Sequence, residues 1–155
     1  MNNTAEVRVG RLLEIRVGAG YRSVADVDAM FEQIGRAMAG RPHRFVVVAD
    51  LRTCPVMSSV AAARVVELMT RNNPRGERST ALVSTSSPTA ALQLIRLIRE
   101  SQNENRLTFE DADELIAWVR PSLEPMELSR IREFLREGDS ASDVSRKLGA
   151  RPWRT

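Results

Sequence analysis

The chain has 155 residues, of which 43% are hydrophobic and 28% charged, and its formal net charge is +3. This suffices for one packed core with a small appendage and excludes a disordered chain. One cysteine (Cys54) and one histidine (His43) exclude an internal disulfide framework and a Cys/His zinc site, so a reducing compartment without a metal cofactor is expected.

Glu6–Gly10 and Leu12–Val17 alternate apolar and polar residues around Gly10-Arg11, which predicts two short strands with a tight turn, or one bent strand. Gly18-Ala19-Gly20 ends the second strand and lacks the spacing of a dinucleotide fingerprint. Ser23 is placed to cap a helix running to about Ala39, with Val24, Val27, Met30, Phe31, Ile34 and Met38 on one stripe and Gly40 closing it.

Phe45–Ala49 is continuously apolar, as a strand covered on both faces should be. His43 precedes this strand and Cys54 follows it, so they lie too far apart for a Cys–His nucleophilic pair. From Ser58 or Ser59 a second helix runs to about Arg71, with Val60, Ala63, Val66, Leu68 and Met69 expected inward. Asn72–Gly76 reads as a loop and Ser79–Ser84 as another buried strand. Ser87 and Pro88 supply a cap and first position for a third helix, lined by Ala91, Leu94, Ile95 and Ile98. Leu107–Phe109 is a short last strand, and Glu110–Val119 a fourth helix.

Pro121 and Pro125 then interrupt the chain, dividing it into residues 1–122 and a helical appendage, 123–155. Leu128–Leu135 predicts a fifth helix, Gly138-Asp139-Ser140 a turn, and Ala141–Leu148 a short helix capped by Ser140, with a frayed end from Gly149 to Thr155. This tail resembles the first two helices of a helix-turn-helix, but only ARPWRT follows Gly149, too little for a recognition helix. Its basic residues, Arg130, Arg132, Arg136, Arg146, Lys147, Arg151 and Arg154, are the basis of an alternative role in nucleic-acid association, ranked below protein binding.

The order ββαβαβαβα implies an α/β fold with a mixed sheet of four to five strands. Helix crossovers make the later strands parallel, and the hairpin makes one antiparallel pair. Helices are expected mainly on one face. Element order and the segment VVVADLRTCPVMSSVAA resemble a STAS domain, the fold of bacterial anti-sigma-factor antagonists, over about residues 6–122. In that family a buried strand ends in Asp-Leu, an apolar loop residue follows, and a regulated serine opens the next helix. The resemblance implies that Asp50 and Leu51 match the Asp-Leu, Met57 the loop position and Ser59 the phosphate acceptor, with Ser58 beside it. Ser58 stands where the family has an acid, and Val60 where it has a glycine.

The reading is therefore a non-enzymatic bacterial signalling module that binds a protein partner, an anti-sigma factor or kinase-like protein, through Asp50, Thr53, Met57, Ser58, Ser59 and Arg64. No catalytic set is visible: no second carboxylate or histidine converges on Asp50. No metal site or cofactor is expected, and self-association is left open. No apolar run approaches the roughly 20 residues of a membrane helix, and MNNTAEVRVG lacks a signal-peptide pattern. A cytoplasmic location without membrane contact follows as the expectation.

Overall fold

The computed structural model describes residues 2–149, with side chains described up to residue 139. Five strands, β1 (Asn3–Val7), β2 (Leu12–Val17), β3 (Phe45–Asp50), β4 (Gly76–Leu82) and β5 (Arg106–Phe109), form one sheet in the order β1-β2-β3-β4-β5. β1 runs antiparallel to β2, and every later pairing is parallel. The helices are α1 (Val24–Met38), α2 (Ser59–Asn72), α3 (Pro88–Glu100), α4 (Ala112–Val119) and α5 (Pro125–Gly149).

β1 lies three residues earlier than its alternation suggests, at Asn3–Val7 rather than Glu6–Gly10. The Asn3 side chain fastens its start, donating to the Gly20 carbonyl at 2.8 Å and accepting from the Ala19 N–H at 3.0 Å. The turn to β2 has Gly10 at φ +54°, a conformation that side chains with a Cβ resist.

Alternation along β2 and β3 divides the core. Leu13, Val17 and Phe45 meet α1, α2 and α3 on one face. Leu12, Val46 and Val48 meet α4 and α5 on the other, against Leu115, Val119, Ile131, Phe134 and Leu135. Three helices thus share one face, as expected, and the C-terminal helix covers the second face together with α4.

Three local expectations need correction. In α2 the buried residues are Ala61, Ala62, Val65 and Leu68, while Ala63 is exposed and Val60 is 65% exposed. The two small alanines face the core at the start of the helix, and this choice rotates Val60 outward. In α3, Ser87 occupies the cap position but its side chain makes no capping hydrogen bond. The nearby hydroxyls engage each other instead, Ser84 Oγ lying 2.7 Å from Ser86 Oγ and accepting the Ser86 N–H at 3.1 Å.

The third correction concerns the tail. No turn occurs at Gly138-Asp139-Ser140, and one helix runs from Pro125 to Gly149. It starts earlier than Leu128 because Pro125 suits a first helical position and Glu127 reaches back to accept the Glu124 N–H at 2.7 Å. The other Glu127 oxygen accepts the Arg11 N–H at 2.6 Å, tying the helix start to the β1–β2 turn. Gly138 is needed for proximity rather than for a bend. A Cβ there would overlap Asp50 Oδ2, Arg52 Nη2 and Arg16 Nη1. Gly149, where the frayed end is expected to begin, is still helical; residues 150–155 and the basic side chains from Arg146 onward lie outside the described residues.

Candidate functional site

The segment between β3 and α2 is held at both ends. At its start, the Leu51 N–H donates to the Leu82 carbonyl at 2.9 Å, and the Cys54 N–H turns back to Leu51 at 3.1 Å. At its end, the Gln93 carboxamide of α3 meets Met57 as a strand would. Its oxygen accepts the Met57 N–H at 2.9 Å, and its nitrogen donates to the Met57 carbonyl at 2.8 Å. Met57 and Cys54 are buried between these anchors. Burial pushes the Cys54 thiol up to about 11.

Ser58 has extended backbone, and its Oγ accepts the Ala61 N–H at 3.2 Å. It is the cap of α2. Ser59 is the first helical residue, and it is exposed. Among the described residues its hydroxyl has no hydrogen-bond partner within the protein. The sequence leaves the capping role open between these serines, and the geometry divides the work: one hydroxyl is used by the helix and the next faces outward. Val56 and Val60 flank it, 51% and 65% exposed, and Leu92, beside Gln93 on α3, is 68% exposed.

The other residues singled out in the sequence scatter. Thr53 is half-buried in the loop. Arg64 lies further along α2, where it donates to Asp28 of α1 at 2.7 Å and pairs with Glu67 at 3.0 Å. Those partners raise its pKa. Asp50 points to the opposite side of the sheet, 5% exposed, and presents no surface to a partner. It accepts Arg16 Nη1 at 2.7 Å, Arg52 Nε at 3.0 Å, Arg52 Nη2 at 3.1 Å and the Arg52 N–H at 3.2 Å. Its lone pairs are fully used, as expected of a structural carboxylate.

This carboxylate belongs to an ionic network that sequence reasoning missed. Arg16 Nη2 donates to the Phe134 carbonyl at 3.0 Å, and Arg52 Nη2 to the Leu135 carbonyl at 2.7 Å. Arg52 also pairs with Asp139. One strand step away, Arg130 clamps Glu14 with both fork nitrogens, at 2.9 and 2.7 Å, and reaches Glu137 at 3.2 Å. The available signal was Glu14 and Arg16 two apart on one strand face. Such alternation ordinarily marks a solvated face, but here it marks a face covered by a helix of complementary charge. Arg130 is consequently occupied inside the fold and is not available to a polyanion.

No family model matches the chain, and no curated protein matches it. Among solved structures it is similar to a protein of Shewanella loihica PV-4, described as an uncharacterized member of the DUF3478 family with a SpoIIAA-like fold. The two are 16% identical, the TM-score is 0.54, and the match covers 75% of this chain and 94% of that one. The chain has a SpoIIAA-like fold. This is the fold of anti-sigma-factor antagonists to which the strand–loop–serine segment pointed. Among the described residues, no helix is long and apolar enough to cross a membrane.

Proposed function

We propose that the chain is a non-enzymatic signalling module that binds a protein partner through the surface around the start of α2, and that phosphorylation of Ser59 weakens this binding. The observation that carries the reading is the division of labour at the helix start. Ser58 Oγ is engaged as the cap, so the exposed Ser59 hydroxyl can be modified without uncapping α2. Val56, Val60 and Leu92 supply exposed apolar surface nearby, which suits a desolvated contact.

A phosphate on Ser59 would add roughly −1.5 to −2 charge beside those residues. The free N–H groups of the first turn stabilise that charge in the monomer, so the helix persists. An apolar partner surface has nothing to offer it, and desolvating it there is unfavourable.

The test titrates a partner recovered from the native host against the full chain carrying Ser or authentic phosphoserine at 59, and against Val60→Glu. The expected result is loss of affinity of about tenfold or more in both altered forms, with thermal midpoints nearly unchanged. Equal affinity of the Ser and phosphoserine forms would reduce Ser59 to a helix residue without regulatory meaning. An unaffected Val60→Glu complex would move the interface elsewhere.

A further inference from the structure

The core on the α1–α3 face is not filled. A cavity of about 130 Å³ lies between the sheet and these helices, lined by apolar side chains that include Leu13, Ile15, Phe31, Val47, Met69 and Leu94. An engineered cavity of about 150 Å³ with similar lining stays dry and takes up benzene, so this space can hold a small hydrocarbon. Its walls run beside β4 from Gly76 to Ala81, roughly 16 Å at the ordinary rise of a strand. A modest volume spread over that length is slender, and it suits an unbranched chain better than a ring.

One end of the cavity is charged. Arg106 lines it from β5, in register with Ser79 of β4, which also lines it. Arg106 Nη1 donates to Asn73 Oδ1 at 2.7 Å and to Ser101 Oγ at 2.9 Å, both neutral oxygens. Its remaining guanidinium nitrogens, Nε and Nη2, have no protein acceptor among the described residues. Arg106 is half-buried, and the contrast with the arginines under α5 is direct. Arg16 and Arg52 sit on Asp50, and Arg130 on Glu14. Burial without a counter-ion lowers the Arg106 pKa to about 10, so the guanidinium remains charged at neutral pH in surroundings that disfavour its charge. Arg75 adds to the positive character of this end; among the described residues its acceptors are the Arg41 and His43 carbonyls, at 2.7 and 3.5 Å.

We propose that the cavity binds a small straight-chain carboxylate, with the acyl chain lying along β3 and β4 and the carboxylate held by the free edge of Arg106. That edge, Nε with Nη2, presents two parallel N–H donors, the geometry that matches a carboxylate. The volume is slightly below that of the cavity that takes up benzene, so it fits an acid of roughly five or six carbons. The lining reaches Cys54 and Met57 in the loop before Ser59, but Arg106 and the carboxylate end lie on β5, and the proposal does not depend on the reading of Ser59.

Hexanoate is the probe, and 1-hexanol is the neutral control of equal chain length. Calorimetric titration of the full chain should show saturable binding of hexanoate, at least about tenfold tighter than the alcohol, the discrimination expected of a charge-assisted pair. Arg106→Met should erase that difference, and Val47→Phe, which fills the cavity, should abolish binding of both compounds. Intermolecular NOEs from the acyl protons to Ile15 and Val47 methyl groups of the unaltered protein are expected, and they need no variant to fold. Absence of those NOEs, equal affinity for acid and alcohol, or a hexanoate affinity untouched by either substitution would overturn the assignment.

Discussion

Gly138→Ala tests the packing of α5 through the sign of its effect. Gly138 lies within a continuous helix, and helix propensity alone predicts that alanine stabilises by about 1 kcal/mol. The structure predicts the opposite. The new Cβ would overlap Asp50 Oδ2 and the guanidinium nitrogens of Arg16 and Arg52, so the buried pair must open or the helix must lift. Opening a buried ion pair costs about 3–5 kcal/mol, because each partner is left desolvated. Set against the propensity gain, the net is destabilisation of about 2–4 kcal/mol. In a chain of this size each kcal/mol moves the midpoint by about 2–4 °C, so a fall of very roughly 5–15 °C is expected. Gly35→Ala is the internal control. Gly35 is also helical and a Cβ there meets nothing within 4 Å, so it should raise the midpoint slightly. Differential scanning calorimetry of the two variants makes the comparison. A Gly138→Ala midpoint equal to or above that of the unaltered protein would refute the contact between α5 and Asp50.

Ser58→Ala should cost about 1 kcal/mol through loss of the cap, whereas Ser59→Ala should change stability by no more than about 0.5 kcal/mol; urea unfolding separates them, and equal costs would mean that the cap is misassigned. Cys54 should react with iodoacetamide at pH 8 about a hundredfold more slowly in the folded than in the unfolded chain, since raising its pKa to about 11 depletes the thiolate. The same shift links to stability: between the ordinary thiol value and about 11 the unfolded chain loses a proton that the folded chain keeps, so Cys54 makes stability fall as pH rises through that window, and Cys54→Ala should flatten the fall measured by urea titration. Glu14→Gln should cost about 3 kcal/mol, the low end for a broken buried pair, because Arg130 loses its buried partner but keeps the more exposed Glu133 and Glu137, while Glu14→Leu with Arg130→Met should recover most of the loss; a double variant as unstable as the single would show that the ion pair itself, and not its separation, sustains the fold.

The elements legible in the sequence are those whose pattern is local. Phe45–Ala49 is apolar throughout because both faces of β3 are covered, and α1 shows its stripe because only one of its faces is. Ser23 announces its helix because a cap acts within three residues, and its Oγ accepts the Asp26 N–H at 3.3 Å. What escaped is set by distant partners. Gly138 looks like a turn residue until Asp50, 88 positions earlier, is seen beneath it. Glu14 and Arg16 look solvated until α5 is laid over them. Val60 looks like a core residue by type, yet Ala61 and Ala62 take the inward positions. At the candidate site, the serine pair and Met57 were legible, but the bridge from Gln93 was not, because nothing within α3 requires that residue to serve another element.

The same contacts bear on how a modification at Ser59 would act. Arg52 begins the loop with its guanidinium on Asp50 and on the Leu135 carbonyl of α5, and Gln93 of α3 pins the other end at Met57. Arg64 then fixes α2 to α1 through Asp28. Ser59 is thus presented by a frame tied to three helices, and its own hydroxyl supports none of those ties. A phosphate placed there meets the helix N–H groups without breaking any of these anchors, so the backbone has little reason to move. Its influence would be exerted as charge on the surface shared with Val56 and Val60. Chemical-shift changes on phosphorylation should accordingly be confined to the loop end and first turn of α2. Shifts reaching Leu135 or Arg130 would instead mean that the loop had released α5, and that the switch worked by moving the C-terminal helix.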